Sequence, residues 1–368
     1  MRGGTTNQIR NVLQSLFSLS LPATRREEHI DIARGWMMIL VVMHHAAFLK
    51  QPDALSSTCQ MLILGVHMPF FFLLNGFLMH MAGSAGKYTF ASYTKSRMMR
   101  LLVPYFLFEL ANLVLSFLAM PILHNHLTLA GALECIAGCF NDKEMYSGIS
   151  GRLWFLPCLF FADLFAFALL KHTSRKSVAF VAALAMSAGS YLLATRYGKQ
   201  LPMTLDTALM GTCFILLGYV CQESVQAVCR LRGLAWACIL AATIAAYLAA
   251  VYANPGQILM FRNEYGSYPA AIAGALAGFY ATMMMSGRYA GKEGHSWFRR
   301  ISLWYGKNSL AAYPVHVWAV NIGKYALPQT PPLNLATFAI ACLATIPIVN
   351  LIRTYAPFML GNFGKGIR

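Results

Sequence analysis

The sequence predicts an all-α integral membrane protein of about ten transmembrane helices with cytoplasmic N- and C-termini. Three observations predict it. Of 368 residues, 58% are hydrophobic and only 11% charged, where a soluble domain carries roughly 25% charged residues. The apolar residues gather in continuous runs, each able to cross ~30 Å of hydrocarbon at ~1.5 Å per residue. Finally, 22 of the 29 Lys and Arg fall on one side of the topology those runs imply. The composition excludes disorder, and the length excludes a disulfide-stapled mini-protein.

Taken in order, the spans are Ile32–Leu49, Gln60–Met81, Leu101–Leu123, Leu153–Leu170, Val178–Ala194, Leu205–Cys221, Leu234–Ala253, Tyr268–Ser286, Asn308–Tyr325 and Leu335–Ile352. Their apolar residues are contiguous rather than alternating, so helices are expected in place of a barrel. An even number of spans puts both termini on one side. On that side lie five basic residues up to Arg34, four from Lys87 to Arg100 and three from Lys171 to Lys176. Arg230 and Arg232 follow, then five from Arg288 to Lys307 and three from Arg353 onward. Basic residues are retained preferentially inside, so this side is assigned to the cytoplasm. The same asymmetry accounts for most of the net charge of +16, and no nucleic acid is expected as a partner.

Residues 1–30 read as a cytoplasmic leader, 31–353 as the membrane domain and 354–368 as a cytoplasmic tail. The stretch Val12–Leu21 loosely imitates a secretory signal. Its polar interruptions at Gln14, Ser15, Ser18 and Ser20 favour an amphipathic or loosely ordered leader. No soluble domain is expected on either flank. Most of the 9 cysteines lie inside spans and read as small apolar fillers. Cys135 and Cys139 share the longest outer loop, where a disulfide and plain helical spacing fit equally well. No metal site is expected.

Ionisable side chains in hydrocarbon are costly, so they turn to the protein interior and often mark function. The first span carries Arg34 and His45, eleven residues apart. That spacing is about 1100°, or three turns plus ~20°, which places both on one helix face ~16 Å apart along the axis. His44 points ~100° away. By itself Arg34 also fits a snorkelling anchor, and His45 fits a helix–helix hydrogen bond. Arg97 and Arg100, at i and i+3, share a face where the third span enters the membrane. Guanidinium forks there suit phosphates and equally suit anionic lipid headgroups. His67 and Asn75 in the second span, Trp154 at the head of the fourth and His316 in the ninth are further candidates. Glu109 and Asp163 are acids within spans, either protonated or paired with a neighbour.

These segments, taken together, resemble the bacterial membrane acyltransferase-3 family of carbohydrate O-acyltransferases. The resemblance rests on Asp31-Ile-Ala-Arg34 followed by His45, on Arg97-x-x-Arg100 running into Leu-Val-Pro104-Tyr, and on Val66-His67-Met-Pro-Phe-Phe-Phe with Asn75-Gly76-Phe. It extends to Leu153-Trp154-Phe-Leu-Pro157 and to Tyr305-Gly-Lys-Asn308-Ser-Leu with Tyr313 and His316. The Leu-Trp-Phe-Leu-Pro stretch is similar to the sugar O-acetylase branch. Two departures stand out. The extra hydrolase-like domain of some members is not expected here, and His44 occupies a position where a small residue is expected.

The resemblance implies an O-acyltransferase of the bacterial cytoplasmic (inner) membrane. It would move an acetyl group from cytoplasmic acetyl-CoA to a hydroxyl of a surface glycan or its lipid-linked precursor. His45 would be the catalytic residue, as general base or as acyl carrier. Arg34, Arg97 and Arg100 would bind the donor, while His67, Asn75, Trp154 and His316 would contact the acceptor or the oxyanion. Membrane lipids are the remaining expected partner. The intramembrane His residues, Glu109 and Asp163 also suit a proton-coupled secondary transporter of a sugar-like or amphiphilic solute, although no inverted repeat is visible. A non-catalytic membrane partner of a glycan-assembly complex is the third alternative.

Overall fold

The computed structural model describes residues 16, 18–19, 27–47, 54–123, 133, 153–197, 201–290, 296–327 and 334–362. Among the described residues there is no strand, only a bridging pair between Leu259 and Glu264. Helices account for almost everything else, as expected of an all-α membrane protein. In chain order they are α1 (Glu28–Ala46), α2 (Ala54–Leu64), α3 (His67–Ala82), α4 (Ser84–Lys87) and α5 (Phe90–Arg97). After a π-helical turn at Met98–Leu102 come α6 (Val103–Leu123), α7 (Phe155–His172), α8 (Lys176–Tyr197), α9 (Leu205–Val220) and α10 (Gln222–Arg230). The chain continues with α11 (Gly233–Ala253), α12 (Tyr268–Ala290), α13 (Trp297–Lys307), α14 (Ser309–Ala326) and α15 (Leu335–Tyr355).

Among the described residues, eight stretches are long and apolar enough to cross a membrane: Ala54–Ala82, Phe90–Leu115, Phe155–His172, Lys176–Arg196, Pro202–Val220, Gly233–Ala253, Tyr268–Ala290 and Leu335–Tyr355. The expected first and ninth spans are helices in their expected places, α1 and α14, but are not among the eight. One cause covers both. Glu28, Asp31, Arg34, His44 and His45 dilute the apolar content of α1, and His316, Asn321 and Lys324 that of α14. The side chains that singled out these helices are the ones that lower their hydropathy.

The chain divides into two compact units. One combines Met1–Ser57 with Lys292–Arg368, and the other is Thr58–Gly291.

In the first unit α1 packs against α13, α14 and α15. Its contact with α13 depends on two glycines that answer each other. A Cβ on Gly35 would lie 1.9 Å from the Ser302 carbonyl oxygen, and one on Gly306 would lie 1.8 Å from that of Asp31. Only hydrogen fits at either place, so the two backbones touch. Arg299 clips the start of the same pair, its Nε 2.9 Å from Glu28 Oε1. The far end of α1 is tied to the head of α15 by the Asn334 amide, which donates to the Ala47 carbonyl at 2.8 Å. The Asn334 side chain caps α15 at the Thr337 amide. Of the expected leader, Leu16 and Ser18 offer their carbonyls to Asn350 Nδ2 at 2.7 and 2.9 Å.

In the second unit α3 and α9 use the same device. A Cβ on Gly76 would lie 1.8 Å from the Ile215 carbonyl oxygen, and one on Gly218 would lie 1.9 Å from that of Leu73. The expected second span is broken at Gly65 and Val66, which strands carbonyls at the end of α2. Two side chains take them up: Tyr247 donates its hydroxyl to Leu62, and His67 donates from Nδ1 to Ile63 at 2.7 Å. Cys135, Cys139 and most of their loop lie outside the described residues.

Candidate active site

The expected site residues are divided between the units. Arg34, His45 and His316 belong to the first, and His67, Asn75, Arg97, Arg100 and Trp154 to the second.

In the first unit α1 runs unbroken from Glu28 to Ala46, so the eleven-residue spacing of Arg34 and His45 is carried on one continuous helix. Arg34 is no exposed anchor. Its side chain is mostly buried, and Nη1 pairs with Asp31 Oδ1 at 3.2 Å, one turn earlier. The Asp31 side chain is itself buried, and its Oδ2 has no hydrogen-bond partner. A carboxylate thus accompanies the guanidinium into the interior, as burial of an ion requires.

At the other end of α1 three imidazoles gather. The His45 ring lies 4.9 Å from that of His44, edge-on, and 5.0 Å from that of His316, tilted by 44°. His316 arrives on α14 and is 1% exposed. Its Nδ1 faces the Tyr313 carbonyl three residues back, which makes Nδ1 the protonated nitrogen of a neutral ring. The entry of α14 is fixed from α15, where Arg353 Nη1 donates to Asn308 Oδ1 at 2.9 Å.

The second unit holds a buried polar clamp. Asp163, in the middle of α7 and 0% exposed, forms an ion pair through Oδ2 with Arg97 Nε at 3.1 Å and accepts a hydrogen bond from Asn75 Nδ2 through Oδ1. Arg97 also donates from Nη2 to the Tyr93 hydroxyl at 2.9 Å and reaches Asn75 Oδ1 at 3.4 Å. Tyr93 stacks flat on Phe167, ring centres 3.9 Å apart. One guanidinium therefore joins α3, α5 and α7.

The two arginines differ in environment. The π-helical turn at Met98–Leu102 begins directly after Arg97. Its i→i+5 bonding widens the turn, so three residues sweep less of a circle than in an α-helix. Arg97 is turned onto Asp163 while Arg100 is exposed. A single π turn cannot be read from spacing, and such turns are frequent at functional sites.

His67 is buried and bonded to Ile63 at the α2–α3 break. Trp154 precedes α7, and its carbonyl accepts from the Thr204 hydroxyl at 3.4 Å. The sequence reading left open whether Asp163 is protonated or paired; the structure pairs it. It missed Tyr93 and the role of Asp31. Both had a visible signal, Tyr93 four residues before Arg97 and Asp31 three before Arg34. Among the described residues no cluster of His, Cys, Asp and Glu is arranged to hold a metal ion.

The sequence model of one protein family, described as an acyltransferase domain, matches residues 27–353. The match runs from the residue before α1 into the last turn of α15 and so takes in both units. No curated protein and no solved structure matches the chain.

Proposed function

We infer the chemistry of this chain from its kinship: it belongs to the acyltransferase-3 family. It is accordingly a multi-pass membrane enzyme and an O-acyltransferase. Our finer proposal is that the acyl group is acetyl, the donor is acetyl-CoA and the acceptor is a hydroxyl of a surface glycan or its lipid-linked precursor. The bacterial cytoplasmic membrane is the setting in which that donor and that acceptor are both at hand. The observation that carries this reading is the packing of His45 against the buried His316 at one end of a helix whose other end holds Arg34.

In the direct route, a neutral His45 takes the acceptor's proton while its oxygen attacks the thioester carbonyl. The C–S bond breaks, and the proton passes to the departing thiolate. Such base catalysis commonly contributes ~10²–10⁴ in rate. In the relay route, an imidazole nitrogen of His45 attacks first and expels the thiolate. The acceptor oxygen then displaces the imidazole from the acyl carbon and gives up its proton to it. Arg100, exposed, and Arg34 are assigned to the donor's phosphates, where charge-assisted hydrogen bonds are strong. Arg97 is already committed to Asp163, and we assign it to holding the fold around Asn75.

Mass spectrometry of envelope polysaccharide from cells with and without the protein tests this. Loss of one acetyl mass from the glycan on deletion is the expected result. An unchanged glycan would overturn the proposed acceptor, and loss of a heavier group the proposed donor.

A further inference from the structure

His316 has one ring nitrogen accounted for and one not. Nδ1 is held by the Tyr313 carbonyl, which can only accept, so Nδ1 carries the hydrogen and Nε2 keeps its lone pair. That Nε2 is buried and has no hydrogen-bond partner. A buried acceptor left unmade is costly in a folded protein and calls for an explanation. The neighbouring ring is that of His45, its centre 5.0 Å away. At that separation a modest rotation brings facing nitrogens within hydrogen-bond range.

We propose that His316 is the positioning residue for His45, its Nε2 accepting the N–H of the His45 nitrogen that faces away from the reacting hydroxyl. The proposal rests on the reading of His45 as the base or acyl carrier and adds to it the group that orients that imidazole.

A nucleophile or base whose partner nitrogen is held presents one tautomer and one orientation, as the third member of a catalytic triad ensures. Here the third member is a second imidazole rather than a carboxylate. When His45 accepts the hydroxyl proton, its opposite N–H points at the His316 lone pair, and the positive charge is shared across two rings. No proton leaves the pair at that step. It stays on His45 until the thiolate takes it. His44 also packs edge-on against His45, ring centres 4.9 Å apart. Pro314 removes one backbone N–H from α14 two residues before His316, whose Nδ1 is back-bonded to the Tyr313 carbonyl.

The test compares His316→Leu with His316→Gln in purified full-length protein in lipid nanodiscs. Turnover of labelled acetyl-CoA is followed with simple sugars or water as acceptor. Leu fills the apolar space without an acceptor atom, while Gln returns an oxygen near the former Nε2. The expected result for His316→Leu is a roughly 10²-fold fall in kcat with KM for acetyl-CoA within about twofold of the parent, less than the ~10⁴ seen when a triad carboxylate is neutralised. His316→Gln should recover at least about tenfold of that loss. Equal kcat in the parent and His316→Leu would overturn the proposal. So would equal losses in the two variants with unchanged thermal unfolding, which marks a space-filling role.

A parent that turns over no acetyl-CoA would instead defeat the proposed reaction. The pairing is then decided by nitrogen-15 NMR of histidine-labelled protein. A scalar coupling across the shared proton between His316 Nε2 and a His45 ring nitrogen supports it, and absence of that coupling overturns it.

Discussion

Arg97 Nε stands 3.1 Å from Asp163 Oδ2, and the Asp163 side chain is wholly buried while that of Arg97 is 24% exposed. The pair gathers Asn75 and Tyr93 around it, so four side chains on three helices share one set of hydrogen bonds. Removing either charge leaves the other without its partner in a poorly solvated place.

Asp163→Leu alone is therefore expected to destabilise the protein by about 3 kcal/mol, the low end for breaking a buried pair because Arg97 retains some solvent. Arg97→Met together with Asp163→Leu should recover more than half of that loss, since two apolar groups replace a desolvated pair. Thermal or denaturant unfolding in detergent measures both. A double variant no better than the single one would show that the clamp acts through shape and not charge.

Arg100 and Arg97 should part company in kinetics. Arg100→Ala is expected to raise KM for acetyl-CoA by roughly tenfold or more, the worth of one hydrogen bond to a charged group, with unfolding unchanged. Arg97→Ala is expected to lower stability first. The measurement is a pair of saturation curves alongside a pair of melts, and the opposite assignment of effects would refute the division of roles.

The glycine contacts make a contrast within one chain. Gly306→Ala places a methyl 1.8 Å from the Asp31 carbonyl oxygen, so α1 and α13 must separate. The cost of such overpacking is about 1–3 kcal/mol. Gly86→Ala meets nothing within 4 Å and should be neutral or slightly stabilising. Unfolding midpoints of the two variants check this. Equal effects would mean that the α1–α13 contact is looser than described.

Much of the fold was legible because lipid demands it: long apolar runs must be helices, and among the described residues each expected span is helical, the second as two helices, α2 and α3. The count was less secure, since α1 and α14 owe their interest to the polar side chains that make them poor spans. The common helix of Arg34 and His45 followed from periodicity alone, and it holds. The partners did not follow. Nothing in local spacing links Asn75, Arg97 and Asp163, which meet only when three helices pack, and the π turn that separates Arg97 from Arg100 leaves no periodic trace. The meeting of His45 with His316, 271 positions later in the chain, is likewise a product of tertiary structure.

The central claim is that His45 performs the acyl transfer, and labelled acetyl-CoA tests it most directly. Parent protein and His45→Ala, purified and shown to melt alike, are each incubated with the donor and simple sugars. The expected result is transfer or hydrolysis by the parent and a loss of about 10²–10⁴ in rate for the variant. Equal rates from the two proteins would contradict it.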